Sequence, residues 1–198
     1  MCGIAGIYNL KSQEPVSRRL LKAMTDSLIH RGPDDEGFYV SDGIGLGHRR
    51  LSIIDLAAGR QPMTNEDETV WVVFNGEIYN FSELHQYLET KGHQFKTRSD
   101  TEVIVHLYEE KGEECFRELR GMFAIAIWDQ RKKKLLLARD RVGKKPLFYH
   151  YDGAKVVFGN RGQRVTGQWL RSAEHCSARP GHTRRLGRAM LCAPACRH

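Results

Sequence analysis

The sequence predicts an α+β domain in which antiparallel sheets carry helices on their outer faces. Three observations support this class. Apolar segments of strand length outnumber helical patterns, the strands come in groups, and they do not alternate strictly with helices as a parallel sheet would require. The chain has 198 residues, 40% of them hydrophobic, which is enough to bury one substantial core.

The N-terminal part predicts a strand, a helix and a pair of strands. Residues 4–8 form a short apolar run of strand length. After Pro15, apolar residues recur every four positions, which indicates an amphipathic helix with proline near its first turn. An Arg-Gly-Pro-Asp segment at residues 31–34 ends this helix, and residues 38–40 and 43–54 are strand candidates. The repeating apolar positions are Val16, Leu20, Met24 and Leu28.

A buried strand is predicted at residues 70–74, which read Val-Trp-Val-Val-Phe. The dipeptide Asn75-Gly76 follows, and because Asn-Gly favours tight turns, we expect the strand to end there. The later strand candidates are residues 122–128, 134–138, 147–151 and 156–158.

Two further helices begin with recognisable capping pairs. Asn80 is followed three residues later by Glu83, and Ser99 is followed in the same way by Glu102. Apolar residues at helical spacing come after both pairs. We therefore expect helices that begin after Asn80 and after Ser99.

The C-terminal part differs in composition from the rest of the chain. Residues 161–198 contain eight Arg, no Lys and one acidic residue, Glu174, so they carry the whole net charge of +7. Apolar periodicity stops after Phe158. We expect residues 2–158 to form the folded domain and residues 159–198 to be a basic tail that is disordered or out of register.

The tail suggests two alternatives that the sequence does not favour. Nucleic acid would be attracted by the arginines, but Trp169 is the one aromatic residue available there for stacking. Zinc would need more than Cys192-x-x-x-Cys196, since no second ordered ligand pair accompanies it. We therefore expect no nucleic-acid partner and predict no metal ligands in this chain.

Cysteine usage indicates the compartment. The chain has five cysteines without regular spacing, which fits a reducing environment better than a disulfide framework. No apolar run approaches the ~18 residues of a membrane span, and no basic segment precedes an apolar stretch at the N-terminus. We expect a cytoplasmic protein without a membrane partner.

Cys2 is the candidate nucleophile. Removal of Met1 would place a thiol and a free α-amine on one residue. A thiol titrates near ~8.5 and an α-amine near ~7.7–8.0, so transfer of the proton from sulfur to nitrogen costs only about 1 kcal/mol. Enzymes with an N-terminal nucleophile use this arrangement. The alternative is an incidental small residue after the initiator methionine.

Eight ordered blocks between residues 1 and 158 form a larger pattern around Cys2: MCGIAGIYNL, HRGPDDEGFY, GLGHRRLSIIDL, QPMTNED, VVFNGEIYNFSEL, TRSDTEVIVHLYEEKG, LRGMFAIAIWD and LLLARDRVGKKPLFYHYDG. Together they resemble the glutaminase domain of class II, or N-terminal nucleophile (Ntn), glutamine amidotransferases. The combination of FNGEIYN, RSDTEV and RDRVGKKPL resembles the asparagine synthetase branch. This resemblance implies an Ntn-hydrolase-like αββα sandwich of antiparallel sheets.

The resemblance also implies the catalytic roles. Cys2 would attack the side-chain amide of glutamine and form a thioester, with its α-amine moving the proton. The side-chain amide of Asn75 and the N–H of Gly76 would stabilise the oxyanion, as preorganised donors do in such reactions. An ordinary hairpin turn is the alternative for Asn75-Gly76. Arg31 matches the family as an organiser of the site's mouth, or is a salt-bridging loop residue.

The resemblance further implies the substrate ligands. Arg50 would hold the α-carboxylate of glutamine by a bidentate contact, and Asp100 would hold the α-ammonium. Glu77, Ile53 and Ile54 would line the same pocket. The alternatives are a solvated surface charge for Arg50 and helix capping for Asp100.

The partner implied by the resemblance is a synthetase domain that activates aspartate with ATP. No Ser-Gly-Gly phosphate loop occurs in this sequence, so we expect that domain to be absent and the chain to be truncated, with a frameshift after residue 158 as one explanation. ATP and Mg²⁺ would belong to the missing domain, and we expect no cofactor in this chain. The alternative function is a catalytically inert fragment, or a binding protein with a basic tail, that retains the fold.

Overall fold

The computed structural model describes residues 2–51, 59–160, 174–175, 183–186 and 188–192. The strands are β1 (Gly3–Asn9), β2 (Asp35–Ser41), β3 (Ile44–Arg50), β4 (Met63–Thr64), β5 (Val70–Ile78), β6 (Gly121–Asp129), β7 (Lys134–Arg139), β8 (Phe148–Tyr151), β9 (Lys155–Gly159), β10 (Glu174–His175), β11 (Thr183–Leu186) and β12 (Ala189–Cys192). The helices are α1 (Arg18–Asp26), α2 (Phe81–Thr90), α3 (Asp100–Lys111) and α4 (Cys115–Glu118), with a 3₁₀ turn at Gly112–Glu114.

The described strands form two six-stranded sheets. The first sheet has the order β10-β8-β9-β1-β3-β2, and the second has the order β11-β12-β7-β6-β5-β4. Neighbouring strands are antiparallel throughout, except that β12 runs parallel to β7. β1 lies in the middle of the first sheet, between β3 and β9, and β5 lies near one edge of the second sheet.

Three apolar layers hold the sheets and helices together. The central layer fills the space between the sheets and includes Ile4 from β1, Val73 from β5 and Trp128 from β6. One outer layer packs α1 on the first sheet through residues such as Leu21. The other packs α2 and α3 on the second sheet through residues such as Leu107. The layer order is therefore helix, sheet, sheet, helix, which confirms the predicted αββα sandwich.

The prediction that Asn75-Gly76 forms a tight turn is wrong. β5 continues without interruption to Ile78, and Asn75 and Gly76 pair with Ala124 and Phe123 of β6. The absence of a side chain at Gly76 serves strand packing, because a Cβ there would stand 2.1 Å from the carbonyl oxygen of Met122. Both residues of the dipeptide are consequently held inside a sheet.

The helices begin where the capping pairs predict, but the caps differ in detail. Ser99 Oγ accepts a hydrogen bond from Thr101 N–H at 3.2 Å, as expected of an N-cap. Asn80 makes no side-chain cap on α2; its Oδ1 accepts from Arg120 N–H instead. Glu102 does not complete a capping box, since its carboxylate accepts from the N–H groups of Lys96 and Thr97. No helix in the described part of the chain is long and apolar enough to cross a membrane.

Part of the segment predicted as a disordered tail is ordered. Gly159 belongs to β9, and Asn160 makes buried hydrogen bonds to β1 and to the Pro146 carbonyl. The strands β11 and β12 extend the second sheet, where Met190 and Leu191 are buried. The expectation of a disordered or out-of-register tail over residues 159–198 stays a prediction, because most of these residues lie outside the described part of the chain.

Candidate active site

An open cleft lies where the start of β1 and the start of α3 approach the ends of β3 and β5. It has a volume of about 650 Å³, which is within the range of small-molecule sites. The cleft brings together residues that are far apart in the sequence. Five of the predicted site residues line it: Cys2, Arg50, Gly76, Glu77 and Asp100.

Of the three remaining predicted site residues, Asn75 is the one that the structure describes, and it does not line the cleft. Asn75 is buried directly behind its wall, between the lining residues Phe74 and Gly76. Ile53 and Ile54 lie outside the described residues.

Hydrogen bonds on Cys2 and on Ile4 hold the start of β1. The guanidinium Nε of Arg31 donates to the Cys2 carbonyl oxygen at 3.2 Å. Two residues further on, the Ile4 N–H donates to Asn160 Oδ1 at 2.7 Å, and the Asn160 N–H donates to the Ile4 carbonyl oxygen at 3.1 Å. The thiol itself is half-buried and forms no disulfide. These contacts fix the backbone that presents the sulfur to the cleft.

Basic groups surround the Cys2 backbone. Lys145 is almost completely buried, and burial lowers the pKa of its amine, with the nearby charges of Arg31 and Lys144 acting in the same direction. The charges of Asp140 and Cys2 oppose this shift of the Lys145 pKa. Asp140 also fixes the loop, because its Oδ2 accepts from Lys145 N–H at 2.9 Å.

Asn75 presents a buried amide donor. Its side chain is 2% exposed, and its Nδ2 has no hydrogen-bond partner among the described residues. Side chains alternate along β5, with Val73 in the central layer and Phe74 in the outer one. Asn75 therefore faces the first sheet, to which Cys2 belongs. Leaving such a donor unpaired costs about 1–3 kcal/mol, so a ligand acceptor is the natural partner.

The N–H of Gly76 points away from β6 and toward the cleft. Residues on either side of it show this direction: the Phe74 N–H donates to Gln61 Oε1 at 2.6 Å, and the Ile78 N–H donates to Asp100 Oδ2 at 3.0 Å. Since backbone groups alternate in direction along an antiparallel strand, the N–H of Gly76 shares their side. Phe123, which pairs with Gly76 on β6, supports this direction, because its own N–H donates to Asp140 Oδ2 and not to β5.

Arg50 is buried on the cleft side of β3. Its neighbour Arg49 projects to the other face, where its guanidinium pairs with Glu36 at 2.7 Å. The Arg50 guanidinium lies beside Gly59, since a Cβ built on Gly59 would stand 3.5 Å from its Nη2. Arg50 is only 8% exposed, so the alternative of a solvated surface charge does not describe it.

The loop at residues 31–34 braces the end of β3. Gly32 packs on the backbone there, because a Cβ at this position would stand 2.4 Å from the carbonyl carbon of Arg49. The Asp34 N–H donates to the Arg50 carbonyl oxygen at 3.1 Å. Together with the contact of Arg31 on Cys2, the loop connects Cys2 to Arg50.

Asp100 joins α3 to β5. The N-cap role belongs to Ser99, and the Asp100 carboxylate instead accepts the Ile78 N–H across the cleft wall. Burial raises the pKa of the Asp100 carboxyl above its ordinary value; the hydrogen bond from Ile78 opposes this, and the charge of Glu77 adds to it. A carboxylate in this setting is stabilised by an arriving cation.

Sequence reasoning did not select several residues that line the cleft, among them His48 and Gln61. His48 lies two residues before Arg50 on β3 and is buried, and its Nε2 has no hydrogen-bond partner among the described residues. Gln61 bridges β5 and α3, donating from Nε2 to Thr101 Oγ1 at 3.3 Å. The alternation of β3 could have placed His48 on the same face as Arg50, whereas no local signal marks Gln61.

Comparisons with known proteins agree with this geometry. Residues 1–174 match the family model of a glutamine amidotransferase domain. "Asparagine synthetase [glutamine-hydrolyzing] 2" of Bacillus subtilis is 54% identical over 163 residues, covering 81% of this chain and 21% of that protein. "Asparagine synthetase B [glutamine-hydrolyzing]" of Escherichia coli is 43% identical over 152 residues, covering 77% of this chain and 27% of that protein.

A solved structure shows the same fold. The glutamine phosphoribosylpyrophosphate amidotransferase of B. subtilis superposes with a TM-score of 0.67 at 22% identity, covering 80% of this chain and 42% of that one. The chain thus spans about a fifth to a quarter of the length of the curated relatives that it matches.

Proposed function

The chain belongs to the glutamine amidotransferase domain family, and we propose that its cleft hydrolyses glutamine to glutamate and ammonia through a thioester on Cys2. The observation that carries this proposal is the buried Asn75 amide, whose donor nitrogen is unpaired among the described residues, beside the cleft that contains Cys2. An unpaired buried donor next to a nucleophile is the arrangement that an oxyanion requires.

The nucleophile and its base are the same residue. Once Met1 is removed, the α-amine of Cys2 accepts the thiol proton while the sulfur adds to the amide carbon of glutamine. Collapse of the tetrahedral intermediate breaks the C–N bond, and the protonated amine returns its proton to the departing ammonia. Water then adds to the thioester, which releases glutamate and restores the thiol. No cofactor is needed for these steps.

The developing oxyanion has two donors available. The Asn75 Nδ2 and the Gly76 N–H are both held by β5, and β5 is fixed by its pairing with β6. Rigid donors need no reorganisation when the charge appears, and one such donor contributes roughly 10²–10³ in rate.

The substrate's two charged groups match two buried charges. The Arg50 guanidinium offers two parallel N–H donors to the α-carboxylate, and Asp100 with Glu77 offers negative charge to the α-ammonium. Both Arg50 and Asp100 lie on the cleft wall, so binding glutamine would compensate charges that the fold has already partly desolvated.

The fate of the ammonia is proposed from the relatives. Those relatives are asparagine synthetases, and most of their length has no counterpart in this chain. We assign the ammonia to ATP-dependent amidation of aspartate, or of a related carboxylate, by a synthetase portion that would bind the ATP and Mg²⁺. The glutaminase step would take place in the cytoplasm, the compartment that the cysteine usage favours.

The experiment measures ammonia release from glutamine by the purified chain after mass spectrometry has confirmed an N-terminal Cys2. Cys2→Ala should abolish release, and Asn75→Ala should lower kcat by about 10²–10³ with a small change in KM. Cys115→Ala is the matched control, because Cys115 is buried in the outer apolar layer and should leave turnover intact.

Two outcomes would contradict the proposal. Release that survives Cys2→Ala would exclude this nucleophile. A chain that is stabilised by glutamine in thermal unfolding but releases no ammonia would support the alternative of an inert fragment that retains the binding site.

A further inference from the structure

A second group of polar side chains lies away from the cleft, against the C-terminal half of α3. It joins the loop before β5, the segment between α2 and α3, and α3 itself. One ligand atom from each member lies within 4.8 Å of the corresponding atom of every other member. None of the members lines the cleft. The group, called here the His-Glu cluster, consists of Glu66, His93, His106 and Glu109.

The distances within the His-Glu cluster are those of converging ligands. His106 Nδ1 lies 3.3 Å from Glu109 Oε2 and 3.5 Å from Glu66 Oε2. His93 Nδ1 lies 3.8 Å from a carboxylate oxygen of Glu66 and 3.8 Å from one of Glu109. Around tetrahedral zinc, with bonds of about 2.0–2.2 Å, neighbouring ligand atoms stand roughly 3.3–3.6 Å apart. Small side-chain rotations would therefore close the cluster on an ion.

Two atoms of the cluster that face away from its centre, His93 Nε2 and Glu109 Oε1, have hydrogen-bond partners of their own. Ligating histidines and carboxylates in metalloproteins are oriented by such outer contacts, which fix the ring and the carboxylate plane. His106 is additionally covered on one side by the ring of Phe95, whose centroid lies 4.7 Å away. These outer contacts are His93 Nε2 to Glu110 Oε1 at 3.2 Å and Asn65 Nδ2 to Glu109 Oε1 at 2.6 Å. The Gln94 N–H donates at 3.1 Å to Glu66 Oε1, the oxygen that also faces His93, and His106 Nε2 lies 3.7 Å from Glu102 Oε1, beyond hydrogen-bond distance.

The donor set selects the class of ion. We propose that Glu66, His93, His106 and Glu109 bind one Zn²⁺. Burial lowers the pKa of His106, but its carboxylate neighbours outweigh this and raise it to about 9, so the ion would displace a proton from this ring. The two imidazoles, neutral once bound, and the two carboxylates would then balance a divalent charge and supply the mixed nitrogen and oxygen ligands that zinc accepts. Mg²⁺ and Ca²⁺ prefer six or more oxygen ligands, which this cluster does not offer.

The location gives the ion a structural role. His106 and Glu109 belong to α3, whereas Glu66 and His93 come from two different loops, so one ion would fasten both loops to the helix. The same helix begins with Asp100, a residue of the cleft wall. Zinc would thus stabilise the element that presents Asp100, without touching the substrate.

The experiment uses the full chain after treatment with a chelator. Dialysis against Zn²⁺, followed by metal analysis, should give one equivalent bound at this site, and thermal unfolding should shift upward with Zn²⁺ but not with Mg²⁺. Glu66→Gln and His93→Gln should each weaken binding by about 100-fold or more and remove the shift. His150→Gln, on β8 in the first sheet, is the matched control and should behave as the parent chain does.

Cobalt distinguishes this site from the cysteines. Co²⁺ in the His-Glu cluster should show the visible absorption of a tetrahedral ion without thiolate charge-transfer bands. Thiolate bands, or binding that survives both Glu66→Gln and His93→Gln, would place the ion elsewhere and overturn the proposal. Absence of zinc binding by a chain with unaltered thermal unfolding would show that the cluster is an ion-pair network only.

Discussion

Asp100 shows how a single residue can be placed for function at a cost to the fold. Burial of its carboxylate raises its pKa and the charge of Glu77 adds to this, while backbone hydrogen bonds, led by the one from Ile78, oppose the shift. A group whose pKa is raised in the folded state destabilises the fold as pH rises above the ordinary pKa of an aspartate. The site therefore holds a negative charge that only a bound cation fully satisfies.

Asp100→Asn separates these two effects. Asparagine keeps an acceptor for the Ile78 N–H but loses the charge, so the KM for glutamine should rise about 10-fold or more. Thermal stability without glutamine at neutral pH should be unchanged or higher, because the desolvated charge is gone. In the parent chain, KM should also rise as pH falls toward the raised pKa of Asp100, and this dependence should disappear in the variant.

Steady-state kinetics over a pH series and thermal unfolding test both parts. Glu83→Gln, a carboxylate in the first turn of α2 that does not line the cleft, is the control and should change neither. An unchanged KM in Asp100→Asn would remove Asp100 from the substrate site.

Local residue chemistry predicted some of the site, and the remainder depends on tertiary contacts. Cys2, Arg50, Gly76, Glu77 and Asp100 were selected from motifs, and all five line one cleft. His48 and Gln61 were not selected, because a histidine or glutamine reveals its surroundings only when the neighbouring strands are known. The catalytic roles themselves await the assays.

At the scale of elements, β5 shows where turn propensity loses to strand pairing. Asn-Gly is a strong local signal for a tight turn, yet nine residues of β5 pair continuously with β6. Pairing across the whole strand outweighs the preference of two residues. The alternation of the strand places the Asn75 amide on one face and directs the Gly76 N–H away from β6.

Gly76→Ala should disrupt this element. The added Cβ would stand 2.1 Å from the Met122 carbonyl oxygen and 2.8 Å from Phe123 Cα, so β5 and β6 must separate. Such overpacking costs typically 1–3 kcal/mol, and the displaced N–H should also lower kcat. Urea unfolding and ammonia release measure the two effects.

Gly159→Ala is the matched control for that experiment. Gly159 is also a strand glycine, but its nearest contact would be the Ile4 carbonyl oxygen at 3.3 Å, so a smaller loss is expected. An equal decrease in the free energy of unfolding in both variants would mean that the decrease comes from replacing a strand glycine in general and not from the close approach at Gly76.

At the scale of the whole molecule, the pattern of apolar residues predicted the layers of the fold better than it predicted where the folded domain ends. The apolar runs of β1 and β5 and the helical stripe of α1 contribute residues to the three apolar layers. The C-terminal limit at residue 158 came from composition, and composition does not show that Asn160 anchors β1 or that Met190 and Leu191 complete the second sheet. Contacts between distant parts of the chain decide such limits.

Burial of His48 between the sheets predicts how the molecule responds to acid. Burial lowers the pKa of His48 to about 3; a backbone hydrogen bond at Phe74 and the charge of Asp35 oppose the shift, while the charge of Arg50 adds to it. The unfolded chain takes up this proton near the ordinary value of about 6.5. Stability should therefore be fully present above about pH 6.5 and decline as pH falls toward 3, by up to ~1.4 kcal/mol per pH unit from this group.

His48→Gln isolates this contribution, because glutamine is neutral at every pH in the window and keeps a side-chain donor. As pH is lowered from 7 to 4, the free energy of urea unfolding should fall more steeply for the parent chain than for His48→Gln. His150→Gln, at a half-buried position of β8, is the control and should lose free energy of unfolding with falling pH as the parent chain does.

Equal losses in the parent chain and in His48→Gln would mean that His48 takes up its proton in the folded state. The space between the sheets around His48 would then be open to water. Because Arg50 shares that space, the same profiles report whether the arginine proposed to bind substrate is shielded from solvent before glutamine arrives.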